Sequence, residues 1–168
     1  GSAVAVDVQT GEVLAMVSRP SFDPAQFSKG LTAEYWSSLV NNEFNPLRNR
    51  AVQDHYPPGS TFKVFTAITV LEEGLIKPDE ELSCGPTFRL GRRTYHDWKK
   101  SGHGKTDVYK SIKRSVDVYF YKLATQFDID TLASYARKFG LGSKTQITLP
   151  REIPGLIPTK EWKKKRFG

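Results

Sequence analysis

Val4, Val6 and Val8 alternate with smaller or polar residues, and a second apolar run fills positions 13–17 after Gln9-Thr10-Gly11. This pattern predicts a β-hairpin over residues 3–18, with Leu14 and Met16 on the face opposite Val13 and Val17. Both strands are nearly continuous in apolar residues, which predicts a sheet covered on both faces between helical layers. Pro20, Phe22, Asp23 and Pro24 read as an irregular exit. The period then becomes helical. Thr32 caps a predicted short helix ending at Val40, packed through Tyr35, Trp36 and Leu39, and residues 45–51 follow as a loop able to set its arginines against carboxylates. Residues 82–106 lack helical periodicity and predict an extended excursion, with Thr87, Phe88, Leu90, Thr94 and Tyr95 in strands about a bend at Gly91.

Thr106 or Asp107 is expected to cap the next helix, with Val108, Ile112 and Val116 facing inward. That helix ends or kinks at Ser115-Val116-Asp117, and residues 118–127 continue as an apolar helix. Another helix is expected after Asp130, built on Leu132, Tyr135, Ala136 and Phe139 and stopped by Gly140. A last turn capped by Thr159 runs into the basic terminus. One hairpin among several helices is an unbalanced inventory, since a lone two-stranded sheet does not make the centre of a domain this size.

The chain is organised around Tyr56-Pro57-Pro58-Gly59-Ser60-Thr61-Phe62-Lys63. From Ser60 to Glu73 there is no Gly or Pro, and Phe62, Phe65, Ile68 and Leu71 with Val64 and Ala67 form an apolar helix face. The Pro-Pro-Gly turn sets the helix start at or next to Ser60, where free N–H groups and the positive dipole end lie. Lys63 falls one turn on, a neighbour of Ser60, so a neutral Lys63 is able to take the Ser60 proton as the hydroxyl attacks a carbonyl. A serine at a helix start is ordinarily an N-cap, and a lysine one turn later ordinarily a solvated charge. The flanking Phe62, Val64 and Phe65 and the positive net charge favour a lysine held away from water.

Composition narrows the classes. The 168 residues are 38% hydrophobic, enough for a globular core, and Gly1-Ser2 reads as an expression scar ahead of residues 3–168. Twenty-five basic against 18 acidic residues give a net charge of +7, which by itself invites a polyanion. The excess clusters at Lys160, Lys163, Lys164, Lys165 and Arg166 and between Arg89 and Lys105, with no nucleic-acid motif, so no nucleic-acid partner is expected. Cys84, Asp97 and His103, with His96 adjacent, offer zinc-compatible side chains, but their spacing matches no strong zinc pattern and no metal or other cofactor is expected. His55, beside the Ser60 turn, reads as structural.

The ordered strings Ala5-Val6-Asp7, residues 10–16, Pro20-Ser21-Phe22-Asp23-Pro24, Asn49-Arg50-Ala51, residues 56–63, and Asp97-Trp98-Lys99-Lys100 with Gly102-His103-Gly104 carry a family resemblance. They resemble the transpeptidase domain of the class B penicillin-binding proteins, most of all the elongation-specific subgroup, penicillin-binding protein 2. The resemblance implies an α/β fold of the penicillin-binding protein and serine β-lactamase type, an antiparallel sheet flanked by helices. It implies a peptidoglycan D,D-transpeptidase in which Ser60 attacks a stem-peptide carbonyl and Lys63 is the base. Ser115-Val116-Asp117 stands where the family has S-x-N, so Ser115 would complete a proton relay and Asp117 would hold a lysine or substrate backbone. An Asp there adds a negative charge that favours a charged Lys63 unless another cation balances it. Failing that role, Ser115 and Asp117 would merely cap the following helix.

By the same resemblance, the expected partners are stem peptides, β-lactams as substrate mimics, and membrane proteins of the elongation machinery. The expected location is the periplasmic side of an inner-membrane-anchored protein. The family's third motif, K-T-G or K-S-G, is absent, and Lys105-Thr106-Asp107 is the nearest string. The chain is therefore expected to be an incomplete domain, truncated before its C-terminal strands, with little activity alone. Two other readings stand beside this one: a serine β-lactamase or β-lactam sensor using the same Ser60 and Lys63, and a non-catalytic partner-binding module.

Overall fold

A computed structural model describes residues 1–168. The chain divides into two compact units, one of residues 1–56 with 144–154 and one of residues 57–143 with 155–168. It contains three two-stranded antiparallel sheets and eight α-helices, and no helix is long and apolar enough to cross a membrane.

In the first unit, β1 (Ser2–Val6) pairs with β2 (Val13–Ser18), from Ser2 opposite Ser18 to Val6 opposite Val13. Asp7 Oδ1 accepts the Gln9 and Thr10 N–H groups at 2.7 and 3.0 Å and winds the turn. Val8, which alternation places in a strand, therefore lies in that turn and is 94% exposed. The expected cover on both faces is not found: Val4, Val6, Val13, Leu14 and Val17 are all exposed. The four-residue α3 (Arg50–Gln53) leans on this ribbon, with Arg50 N reaching Ser18 and the Nδ2 of its N-cap Asn49 reaching Met16. A single helical turn is too short to cover a sheet face.

The stretch read as an irregular exit contains a helix, α1 (Pro24–Lys29), with Asp23 as N-cap at 2.9 Å from Ala25 N and Pro24 at the first helical position. Asp-Pro is itself a helix-start signal, because the cap satisfies a free N–H and proline lacks one. Helix α2 (Ala33–Val40) is capped by Thr32 as expected, with Leu39 buried but Trp36 largely exposed. Arg48 and Arg50 both approach Asp54, as the loop's composition suggests. His55 Nε2 meets the Pro154 carbonyl at 2.6 Å, a structural contact.

The second unit opens with a 3-10 turn, Gly59–Phe62, that passes directly into α4 (Lys63–Glu72). The α-helix thus starts three residues later than the periodicity implies. Gly59 at φ 57 closes the turn after the prolines, and the Lys63 N–H bonds to Ser60 O in the tighter i to i+3 pattern. Gly74 ends α4 at φ 64.

The excursion over 82–106 forms two ribbons. β3 (Leu82–Cys84) pairs with β6 (Gly104–Thr106), and β4 (Thr87–Leu90) with β5 (Arg93–His96) about Gly91. Asp107, not Thr106, caps α5 (Val108–Lys113), its carboxylate accepting the Lys110 N–H at 2.7 Å. Then come α6 (Asp117–Leu123), which stops short of residue 127, α7 (Ile129–Lys138), capped by Asp128 rather than Asp130, and α8 (Lys160–Phe167), capped by Thr159.

The core of this unit joins α4, α5, α6 and β3 through Val70, Cys84, Val108, Val116, Val118, Tyr119 and Leu123. Ile112 and Phe139, assigned inward by periodicity, are instead exposed. Phe139 still meets Phe65 edge-on at 5.5 Å, tying the end of α7 to α4.

Candidate active site

Ser60, Lys63, Ser115 and Asp117 converge, from two segments more than 50 residues apart in sequence. The 3-10 turn leaves Ser60 exposed, while Lys63, first residue of α4, turns its side chain toward α6 and is only 13% exposed. Lys63 Nζ donates to three acceptors: Ser115 O at 2.8 Å, Ser115 Oγ at 3.0 Å and Asp117 Oδ1 at 2.5 Å. An ammonium has three N–H donors, so this set engages all of them. The Phe120 ring lies beneath, its centroid 5.8 Å from Nζ.

Ser60 is not among the partners of Lys63. Ser115 Oγ stands between the two, 2.9 Å from Ser60 Oγ. In place of the direct Lys63–Ser60 contact expected from one-turn spacing, the structure offers a two-step hydrogen-bonded path, Lys63 to Ser115 to Ser60. A hydroxyl donates one hydrogen and accepts through its lone pairs, so the chain can point either way. With a charged Lys63 it points outward and delivers a proton toward Ser60. With a neutral Lys63 it points inward and can remove the Ser60 proton as Oγ attacks a carbonyl.

The geometry of Ser115-Val116-Asp117 explains the spacing. Val116 is extended, at φ -74 and ψ 106, so its neighbours project to one side and Val116 to the other. Val116 is completely buried in the core, a burial that stabilises by about 1.5–3 kcal/mol. Ser115 itself sits at φ 52, in the left-handed region, which costs a non-glycine residue roughly 1–2 kcal/mol. That turn aims both its hydroxyl and its carbonyl at Lys63. Neither Ser115 nor Asp117 caps α6: the N-cap position is Val116, which has no capping side chain.

The missing cap comes from a distance. Asp97, whose side chain is fully buried, accepts the Val118 N–H at 3.1 Å with Oδ2. Its Oδ1 meets Lys99 N at 3.1 Å and His103 Nε2 at 3.0 Å. Burial pushes the Asp97 carboxyl upward, but the Val118 and Lys99 N–H groups and then His103 outweigh it and hold the group below its ordinary value. Asp97 and His103 thus hold backbone and each other. Cys84 is buried nearby with its thiol toward Leu82 O at 3.6 Å, and burial pushes that thiol up. His96 is exposed, and no group of three His, Cys, Asp or Glu side chains converges. Lys105 and Thr106 belong to β6 and Asp107 to the α5 cap, so the nearest K-T string serves local structure.

The remote cap is the element with no local sign in the sequence, although a valine between Ser115 and Asp117 at a helix start leaves a free N–H needing a partner.

The penicillin binding protein transpeptidase domain matches residues 1–168. Peptidoglycan D,D-transpeptidase MrdA of Acinetobacter baumannii is 46% identical over 97% of this chain and 25% of its own length. Penicillin-binding protein PBP2 of Helicobacter pylori superposes with a TM-score of 0.93 at 37% identity, covering 99% of this chain and 32% of that one. The complex of Helicobacter pylori PBP2 with MreC contains a chain matching at a TM-score of 0.92 and 37% identity, over 98% of this chain and 31% of that one. The chain spans about a quarter of the length of the curated relatives it matches. It belongs to the transpeptidase-domain family of the penicillin-binding proteins, in the PBP2 (MrdA) group.

Proposed function

We propose that this chain carries the acylation centre of a peptidoglycan D,D-transpeptidase, with Ser60 as nucleophile. Ser60 Oγ forms a bond to the penultimate D-Ala carbonyl carbon of a stem peptide, and the bond from that carbon to the terminal D-Ala nitrogen breaks. The Ser60 proton passes through Ser115 Oγ to Lys63, and the same path returns a proton to the departing amine. Asp117 holds Lys63 against Ser115. An amine from a neighbouring strand then attacks the acyl-enzyme, forms the cross-link and releases Ser60. β-Lactams enter the same sequence as substrate mimics.

The single observation that carries this reading is the unbroken path from Lys63 Nζ through Ser115 Oγ to Ser60 Oγ, at 3.0 and 2.9 Å. Membership of the family and the curated names of its relatives support the substrate class. We extend the reading to a periplasmic domain of a membrane-anchored protein that works beside membrane proteins of the elongation machinery, which the existence of a complex between PBP2 and MreC of Helicobacter pylori supports.

The test uses the full-length protein and a fluorescent penicillin. Label is expected on the peptide containing Ser60, stoichiometric and stable over many minutes, and lost in Ser60→Ala. Undiminished label in Ser60→Ala would sink the assignment. Release of hydrolysed penicillin within seconds would favour a β-lactamase.

A further inference from the structure

The strained Ser115 does not hold its conformation by local sequence alone. Its φ of 52 is unfavourable for serine, and such a backbone persists only where the surroundings determine it from several sides. On the inner side, Ser115 N and Val116 N bond to the carbonyls of Ile112 and Ser111 at 3.2 and 2.9 Å, and Val116 is buried. Those contacts fix the end of α5. They do not fix the start of α6, where Asp117 sits and where no local side chain caps the helix.

Two consecutive residues on the excursion between β5 and β6 supply what is missing. Trp98 Nε1 donates to the Arg114 carbonyl at 3.1 Å, one residue before Ser115. Asp97 Oδ2 accepts the Val118 N–H at 3.1 Å, one residue after Asp117. We propose that Asp97-Trp98 is a two-point clamp that positions Ser115 and Asp117 against Lys63, so that both are positioning residues for acylation at Ser60. This rests on the proposed transpeptidase reading.

The two contacts differ in kind. Asp97 is buried and its second oxygen is held by Lys99 N and His103 Nε2, so the carboxylate is fixed before it meets α6. His103 is in turn set by its backbone N–H on Cys84 O at 2.8 Å, beside the close approach of Gly102 to Gly85. Trp98 is 62% exposed and stands edge-on to His103 at 5.3 Å, so its indole adds little to the core. Its N–H reaches a carbonyl at the end of α5, one of those a helix leaves without an intrahelical partner. Flanking bonds of this sort limit the rotation of a three-residue segment whose side chains must meet a donor within hydrogen-bond range. A displacement of about 1 Å in such a segment lowers rates by as much as ~100-fold.

The experiment compares full-length wild type, Trp98→Phe, Asp97→Ala and Asp97→Asn. Trp98→Phe keeps an exposed ring and removes only the donor. Asp97→Asn keeps an oxygen to accept the Val118 N–H. Penicillin acylation is followed over a range of concentrations, thermal melting reports the folded fraction, and hydrogen exchange reports the Val118 amide. The maximal acylation rate is expected to fall about tenfold or more in Trp98→Phe and Asp97→Ala, with the half-saturating penicillin concentration little changed. Asp97→Asn is expected to restore most of the rate lost in Asp97→Ala. Exchange of the Val118 amide is expected to accelerate about tenfold in Asp97→Ala.

Wild-type acylation rates in the folded Trp98→Phe and Asp97→Ala proteins overturn the clamp. So does slowed labelling that merely tracks the unfolded fraction. If wild type itself takes no label at Ser60, the transpeptidase reading fails, and unchanged Val118 exchange in Asp97→Ala separately refutes the clamp.

Discussion

The Ser115 hydroxyl lies 2.9 Å from Ser60 Oγ, and it alone bridges Ser60 to the Lys63 amine. Under the proposed mechanism, Ser115→Ala opens the proton path while leaving the backbone and the buried Val116 in place. Acylation of Ser60 by penicillin is expected to slow by about 100- to 10,000-fold, the usual range for a proton-transferring group. The melting temperature should move by only a degree or two. Stopped-flow or gel-based labelling with a fluorescent penicillin measures the first, and calorimetry the second.

Asp117 and Lys63 meet at 2.5 Å with both side chains mostly covered. Asp117→Asn retains an oxygen for Lys63 Nζ and places here the residue found in the general S-x-N motif, so the acylation rate is expected to fall by less than about tenfold. Asp117→Ala leaves one Lys63 donor without its acceptor and is expected to cost more, about 1.5–3 kcal/mol in the acylation barrier, the range for a hydrogen bond to a charged group. An Ala variant as fast as the Asn variant would show that Asp117 does not hold Lys63.

Tyr119 is fully buried, and its hydroxyl has no hydrogen-bond partner. Tyr119→Phe keeps the ring and its edge-on contact with Phe120 at 5.4 Å while removing an unsatisfied polar group. The substitution is expected to be neutral or to stabilise by up to about 2 kcal/mol, read from urea denaturation. Burial also pushes the Tyr119 phenol up to about 12, from an ordinary value of 10.0. The unfolded chain loses this proton first, so the stability tied to it is complete below about pH 10 and lost as pH rises toward about 12. The alkaline fall in stability should be shallower in Tyr119→Phe.

Gly102 combines φ 70 with a site where a Cβ would lie 2.6 Å from the Gly85 carbonyl carbon. The three atoms it would meet, two of Gly85 and one of Cys84, are all backbone, so none can rotate aside. Gly102→Ala is expected to destabilise by at least about 2 kcal/mol, combining left-handed strain with displacement of β3 from His103. A melting temperature within two degrees of wild type would contradict this.

Much of the second unit was readable in residue order. Pro-Pro-Gly set the turn before Ser60, Gly91 and Gly140 marked a bend and a helix end, and the lack of helical periodicity over 82–106 pointed to the strands β4 and β5. Lys63, Ser115 and Asp117 were readable as a group only through the family motifs, since nothing in periodicity joins segments 52 residues apart. What escaped was of two kinds. Helix α1 and the 3-10 turn depend on caps and φ angles rather than on hydrophobic period. The bonds from Asp97 to Val118 and from Trp98 to Arg114 depend on tertiary placement, and a buried acid reads equally well as a metal ligand or a cap. The hairpin formed as its alternation predicts, but its cover did not: apolar strands state what their faces can pack against, and within these residues those faces stay exposed.

The left-handed backbone at Ser115 has a consequence for which side chains position 115 can accept. Glycine would relax φ 52 but carry no hydroxyl. Threonine would keep the hydroxyl, yet its β-branch is a genuine outlier at positive φ. Asparagine tolerates the conformation but substitutes an amide for the single rotatable O–H. Conformation and chemistry therefore filter the alphabet from opposite ends, and serine satisfies both. Under the proposed function, substitutions that reshape this site under selection by β-lactams should accordingly spare position 115 and fall on the residues around it.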